Sequence, residues 1–204
     1  MKEWVYHSVV GFGRFVLRLC SRGTVGGREF IPDRGGFFLA ANHTGYFDSG
    51  LIMGACPRPV RWLSMVEVAR GPWSWFLLPM GVIPFKKSGV DLPALRSLVS
   101  LVQEGGISGI FPEGEVRQEG AGVTSGGMID DQLCRLSRMA RVPIVPCVCL
   151  GAEAFDRVSA WLPWPRTRWA VVFGAPIHPG QDQHQALREA FISLYTEAMK
   201  LMGH

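Results

Sequence analysis

Six short apolar runs, separated by stretches of helical periodicity, constrain this chain more than any other feature. Phe37–Ala41, Val60–Met65, Val82–Phe85, Ile107–Phe111, Ile144–Leu150 and Trp169–Phe173 each have the length of a buried strand. Between them stand a short helix from Asp48 to Ala55, a helix capped by Asp91 and running through Glu104, and a helix over 129–140. A last helix carries Leu187, Phe191, Leu194, Ala198 and Leu201 on one face and stops at Gly203. Strands alternating with helices predict an α/β fold, a single domain with a mixed β-sheet flanked by helices. The 204 residues suit one domain with a sizeable core. Residues 112–127 are rich in glycine and poor in apolar side chains, and read as a mobile loop.

Val5, Val9, Phe12, Val16 and Leu19 form one helical stripe near the N-terminus, with Arg14, Arg18 and Arg22 on the opposite side. Such a helix lies in a membrane interface rather than crossing it, because its arginine row would otherwise stand in hydrocarbon. A helix docked on the domain's own core shows the same period. The expected organisation is an amphipathic membrane-surface helix over residues 1–22 and a domain over 23–204. Hydrophobic residues make up 48% of the chain, yet no run of 18 uncharged apolar residues exists, so no segment reads as a membrane span. Seven Trp, twelve Phe and a net charge of +4 fit an anionic lipid interface. The same charge would suit nucleic acid, but no nucleic-acid-binding motif accompanies it, and no such partner is expected. Cys147 and Cys149 share one face of a strand without a second pair at ligand spacing, so they read as core residues and no metal is expected. No small-residue cleavage site follows the N-terminal apolar stretch, which favours peripheral attachment at the cytoplasmic face of a membrane over secretion.

Chemistry concentrates at the ends of two of the strands. Asn42 and His43 follow Phe37–Ala41 directly, and Asp48 stands five residues beyond His43. In an open α/β sheet the carboxyl ends of the strands face the ligand crevice. A turn closed by the helix that begins near Asp48 can fold the carboxylate onto the imidazole, hold one ring N–H and leave the other nitrogen as a base. A solvated histidine beside a helix-capping aspartate has the same spacing, so the pair alone does not separate a site from a turn. Phe111-Pro112-Glu113-Gly114 occupies the corresponding place after Ile107–Phe111, with Arg117 close behind. Proline and glycine around one carboxylate fix the backbone and admit a ligand, although Pro-Glu-Gly is also a common turn.

Four blocks stand in order: Asn42-His43-Thr44-Gly45-Tyr46-Phe47-Asp48, Gly81-Val82-Ile83-Pro84-Phe85-Lys86-Lys87, Phe111-Pro112-Glu113-Gly114 and Val142-Pro143-Ile144-Val145-Pro146. Together they resemble the sequence blocks of the glycerolipid acyltransferases, the 1-acylglycerol-3-phosphate acyltransferase-like family, over about residues 37 to 150. The first and third blocks are the specific ones. The resemblance implies a membrane lipid surface as partner, a lysophospholipid acceptor with lysophosphatidic acid foremost, and acyl-CoA or acyl carrier protein as donor substrate, with no further cofactor. It implies His43 as general base and Asp48 as its orienter, with no covalent acyl-enzyme. The lack of a Gly-x-Ser-x-Gly elbow agrees with that. Asn42, Glu113 and Gly114 are then expected at the substrate, the backbone around Gly114 lying near the glycerol and the developing oxyanion. Lys87, with Lys86 and Arg117, would hold the acceptor phosphate. Three departures bear on acceptor identity: Met65 stands where members commonly carry Lys, the third block continues Glu115-Val116-Arg117 rather than Thr-Arg-Ser, and Lys87 replaces an Arg. They leave room for another lysolipid or lipid headgroup, or for a catalytically silent lipid-binding relative. The apolar stretch 72–85 reads either as a wall of an acyl-chain tunnel or as a buried helix leading into a strand, and the aromatic-basic run Trp161–Trp169 reads as an interfacial loop.

Overall fold

Strands covered on both faces carry apolar residues at every position rather than at alternate ones. Phe37–Ala41 and Ile144–Leu150 obey this rule, and every residue in both is buried. The computed structural model describes residues 3–69, 74–86, 91–114, 122–125, 131–164 and 166–203. Among these, β1 (Ser21–Gly26), β2 (Phe37–Ala41), β3 (Val60–Met65), β4 (Ile83–Phe85), β5 (Ile107–Ile110), β6 (Ile144–Leu150) and β7 (Thr167–Phe173) form one sheet in the order β1-β7-β6-β2-β5-β3-β4. Strands β2 to β6 run parallel, β7 pairs antiparallel with β6, and β1 pairs parallel with β7, so the sheet is mixed as expected.

The flanking helices are α1 (Glu3–Cys20), α2 (Asp48–Ala55), α5 (Leu92–Gln103), α6 (Asp131–Ala140) and α7 (Gln183–Met202), with single turns α3 (Val66–Ala69) and α4 (Ser74–Leu77). Alternate strand residues divide between two cores. Phe37, Leu39, Cys147, Cys149 and Phe173 join Leu17 of α1 and Leu51 and Ile52 of α2 on one face. Phe38, Ile144, Val148 and Val172 join Leu98 of α5, Leu133 of α6 and Phe191 of α7 on the other. Each large apolar side chain fully buried in this way contributes about 1.5–3 kcal/mol. All six expected strands are present, and β1 is an addition. The helix expected over 129–140 is described from Asp131 onward. Of the expected loop 112–127, Gly122–Ser125 forms a 3-10 turn, and residues 115–121, 126 and 127 lie outside the described residues.

Helix α1 shows why the N-terminal stripe read ambiguously. Tyr6, Val10, Leu17 and Cys20 are buried against the domain, while Trp4, Phe12, Phe15 and Leu19 are exposed. The helix thus has two apolar faces, one docked and one open. Arg14 is exposed like Arg18 and Arg22, but its guanidinium also reaches the domain. Its Nε donates to the Gly54 carbonyl at 2.8 Å and its Nη2 to the Cys56 carbonyl at 3.0 Å, satisfying acceptors that the end of α2 leaves without intrahelical partners. The buried Tyr6 hydroxyl accepts the Val60 N–H at 3.1 Å, and burial pushes the Tyr6 phenol up to about 12. Because α1 ends at Cys20 and β1 begins at Ser21, the boundary drawn at residue 22 falls inside a strand of the sheet.

Candidate active site

The register of two neighbouring parallel strands assembles the site. Ala40 of β2 lies opposite Ile110 of β5, so His43 and Glu113, each three residues further on, leave the sheet side by side at its carboxyl edge. The His43 backbone N–H donates to Glu113 Oε2 at 2.9 Å. The other Glu113 oxygen, Oε1, accepts the Val123 N–H at 2.8 Å. Glu113 was expected at the substrate; the structure shows its carboxylate joining three backbone segments. Nothing in the local sequence announces Val123 or the other backbone amides that fill these bonds.

Asp48 begins α2, and its side chain is wholly buried while the His43 side chain keeps 19% of its surface. Asp48 Oδ2 accepts from His43 Nδ1 at 2.8 Å, from the Thr44 N–H at 2.7 Å and from the Gly45 N–H at 3.0 Å. Oδ1 accepts the Thr44 hydroxyl at 3.3 Å. The two backbone amides fix the position of the carboxylate at the start of α2. The carboxylate's bond to Nδ1 fixes the tautomer that leaves the Nε2 lone pair available. The turn closes against the segment after β6, where a Cβ on Gly45 would stand 2.6 Å from the Glu153 nitrogen, so only glycine fits.

The His43 ring is backed by aromatic rings. Phe111 stacks on it with centroids 4.0 Å apart and planes 11° apart, and Trp62 stacks on the far side of Phe111 at 4.5 Å and 16°. Phe111 entered the sequence reading as part of a block without a role of its own. Its place directly after β5, facing a residue directly after β2, is the signal that a known strand order would have exposed.

Asn42 departs from expectation. It is buried, its Oδ1 accepts the Cys149 N–H at 2.7 Å, and its Nδ2 donates to the Cys149 carbonyl at 2.9 Å. Both ends of the amide therefore stitch β2 to β6 instead of meeting a substrate. Gly114 takes a left-handed φ of 68° that glycine tolerates best, and its N–H donates to the Phe111 carbonyl at 3.0 Å. That amide closes the turn, so it is not a free donor for an oxyanion. Lys86 is exposed at the end of β4, and its N–H donates to Asp91 Oδ2 at 2.9 Å. Asp91 Oδ1 caps α5 through the Ala94 N–H, and these two amides, Lys86 first, hold the Asp91 carboxyl below its usual range. Lys87 and Arg117, the other expected phosphate ligands, lie outside the described residues. In the stretch 72–85, Trp75 and Leu78 are exposed while Met80 packs on Tyr6 and Val10 of α1; residues 72 and 73 lie outside the described residues.

A family model described as Acyltransferase matches residues 22–150. The chain is 23% identical over 174 residues to a 1-acyl-sn-glycerol-3-phosphate acyltransferase of Bacillus subtilis (strain 168), covering 84% of this chain and 81% of that protein. Its fold is similar to the crystal structure of the 1-acyl-sn-glycerophosphate (LPA) acyltransferase PlsC of Thermotoga maritima. That similarity has a TM-score of 0.74 at 20% identity, and it covers 100% of this chain and 82% of the other.

Proposed function

The chain belongs to the acyltransferase family, and from that footing we propose that it moves a fatty acyl group from a thioester donor to the free hydroxyl of a lysophospholipid, converting lysophosphatidic acid to phosphatidic acid. The observation that carries this reading is the 2.8 Å contact between His43 Nδ1 and the buried Asp48 carboxylate, which leaves Nε2 free at the sheet's carboxyl edge. In the reaction the acceptor hydroxyl gives its proton to Nε2 while its oxygen attacks the thioester carbonyl. The tetrahedral intermediate collapses, the C–S bond breaks, and the leaving thiolate takes the proton from the imidazolium. Ester and free thiol depart, and His43 is again neutral. Asp48 stabilises the imidazolium between those two transfers, and a base held in this way contributes about 10²–10⁴ in rate. The donor is acyl-CoA or acyl-acyl carrier protein. Lysophosphatidic acid as acceptor is supported by the names of both relatives, with Lys86, Lys87 and Arg117 as the phosphate ligands.

A second reading, transfer to another lysolipid or headgroup, is favoured by Met65. This side chain is exposed at the end of β3, in register with Phe85, and is apolar where members of the family commonly carry Lys. A catalytically silent lipid-binding relative would have no need of the intact His43–Asp48 pair.

We place the protein peripherally on the cytoplasmic face of a membrane. The support is the open apolar face of α1 and a second exposed group, Val158, Leu162 and Trp164, bracketed by Arg157 and Arg166. Trp161 of that loop packs on Phe47, the residue before Asp48, with ring centroids 4.9 Å apart, which puts the loop next to the site. Among the described residues no helix is long and apolar enough to cross a membrane. All five cysteines are unpaired, in keeping with a reducing compartment.

The test is incubation of purified protein with anionic vesicles, lysophosphatidic acid and acyl-CoA or acyl-acyl carrier protein, with lipids identified by mass spectrometry. Phosphatidic acid should form with one free thiol per ester, and the protein should sediment with the vesicles. Product from a different lysolipid alone would move the assignment to the second reading; no acceptor-dependent thiol release with any lipid would end both.

A further inference from the structure

We propose that Phe111 is a positioning residue for His43, holding the plane of the imidazole and supporting the positive charge it gains during proton transfer, with Trp62 and Gly109 keeping Phe111 in place. This rests on the reading of His43 as the base. The sheet builds the stack. Trp62 of β3 pairs in register with Gly109 of β5, and Phe111 follows Gly109 by two residues. A Cβ at position 109 would stand 2.6 Å from the Trp62 ring, so β5 carries glycine where the indole must cross it. Trp62 is almost fully buried, and among the described residues its indole N–H has no hydrogen-bond partner. Ring packing therefore sets its place.

Two constraints then act on the imidazole. The Asp48 carboxylate fixes rotation within the ring plane through Nδ1, and the Phe111 face fixes the tilt of that plane. Together they aim Nε2. The stack also discriminates between charge states. The negative face of a phenyl ring does little for a neutral imidazole but attracts a cation within about 6 Å of its centroid, and here the separation is 4.0 Å. Phe111 consequently favours the imidazolium that exists after the acceptor hydroxyl has lost its proton. Asp48 acts on the same species from the ring edge and Phe111 from the ring face.

Replacement of Phe111 by 4-fluoro- and 3,4,5-trifluorophenylalanine tests this, because the ring keeps its shape while its face loses negative potential. The full-length protein is assayed for kcat and acceptor KM, using lysophosphatidic acid and an acyl thioester, with His43→Ala alongside. Turnover should fall stepwise with fluorination, between about two- and thirtyfold for complete loss of the interaction. Acceptor KM should stay unchanged, because the ring acts on the imidazole and not on the acceptor. Phe111→Leu should lose more, and Trp62→Phe should fall between. Should Phe111→Leu fail to fold, the fluorinated pair still decides. Fluorinated variants with wild-type kcat, beside an inactive His43→Ala, would overturn the proposal while leaving the base in place. An active His43→Ala would instead remove the reading on which it rests.

Discussion

Glu113 accepts the backbone N–H of His43, 70 residues earlier in the chain, at 2.9 Å while its second oxygen accepts the N–H of Val123. The carboxylate thus ties the turn after β2 to the turn after β5 and to the 3-10 turn at Gly122–Ser125. Glu113→Gln keeps the shape but presents an NH₂ where one of two N–H donors must be met. One charge-assisted bond is lost, at about 1.5–3 kcal/mol, and the His43 turn is loosened. We expect kcat to fall about ten- to a hundredfold by the same scale, with a lower urea midpoint. Wild-type kcat in a destabilised Glu113→Gln would show that the clasp serves the fold alone.

Asn42 gives a prediction that separates a stitch from a ligand. Asn42→Ala strands the N–H and carbonyl of Cys149 in a fully buried strand end, each costing about 1–3 kcal/mol. The expected result is a protein with a thermal midpoint lower by several degrees whose folded fraction retains the wild-type acceptor KM. A raised KM at unchanged stability would return Asn42 to the substrate.

These two residues show where reading from sequence stops. Strands β2 and β6 were legible because strands buried on both faces are close to continuous apolar runs, and the five-residue step from His43 to Asp48 was legible because both partners lie on one turn. The Asn42–Cys149 and Glu113–Val123 bonds were not, since their far ends are backbone amides, which every residue has. Strand β1, Ser-Arg-Gly-Thr-Val-Gly, was missed because an edge strand is half exposed and its partner β7 begins at Thr167. The bonds from Arg14 to the Gly54 and Cys56 carbonyls were not legible either, because helical spacing cannot foresee the carbonyls at the end of α2. Strand order, which brings Phe111 beneath His43, is set by pairing between segments distant in sequence.

Tyr6 predicts an alkaline weakening of the α1 dock. Its phenol stays protonated in the fold up to about 12, against 10.0 for an exposed phenol. Stability from its burial is fully present below pH 10 and is lost as pH rises through about 12, because the unfolded chain releases the proton first. Tyr6→Phe should abolish this part of the pH dependence. It should also lower stability at pH 7 by about 1–3 kcal/mol, since the buried Val60 N–H loses its acceptor. Urea unfolding of both proteins between pH 7 and pH 12 measures it; parallel profiles would contradict the assignment.

Acceptor recognition is tested by a panel of lysophosphatidic acid, zwitterionic lysophospholipids and monoacylglycerol with wild type, Lys87→Ala and Arg117→Ala. Loss of one charge-assisted contact should raise the KM for lysophosphatidic acid about ten- to a hundredfold and leave that for monoacylglycerol unchanged. Equal use of monoacylglycerol by the wild type, with no effect of either substitution, would show that the phosphate is not recognised and favour the reading suggested by Met65.

In the proposed reaction the His43 imidazole, oriented by Asp48, takes the acceptor's proton. The most direct measurement of this step is acceptor-dependent thiol release by wild type, His43→Ala and Asp48→Asn, each first shown to unfold cooperatively at a similar urea concentration. His43→Ala should lose about 10²–10⁴ in kcat, Asp48→Asn should be strongly impaired, and neither should change acceptor KM in proportion. A folded His43→Ala that retains more than a few per cent of wild-type turnover would contradict this role for His43.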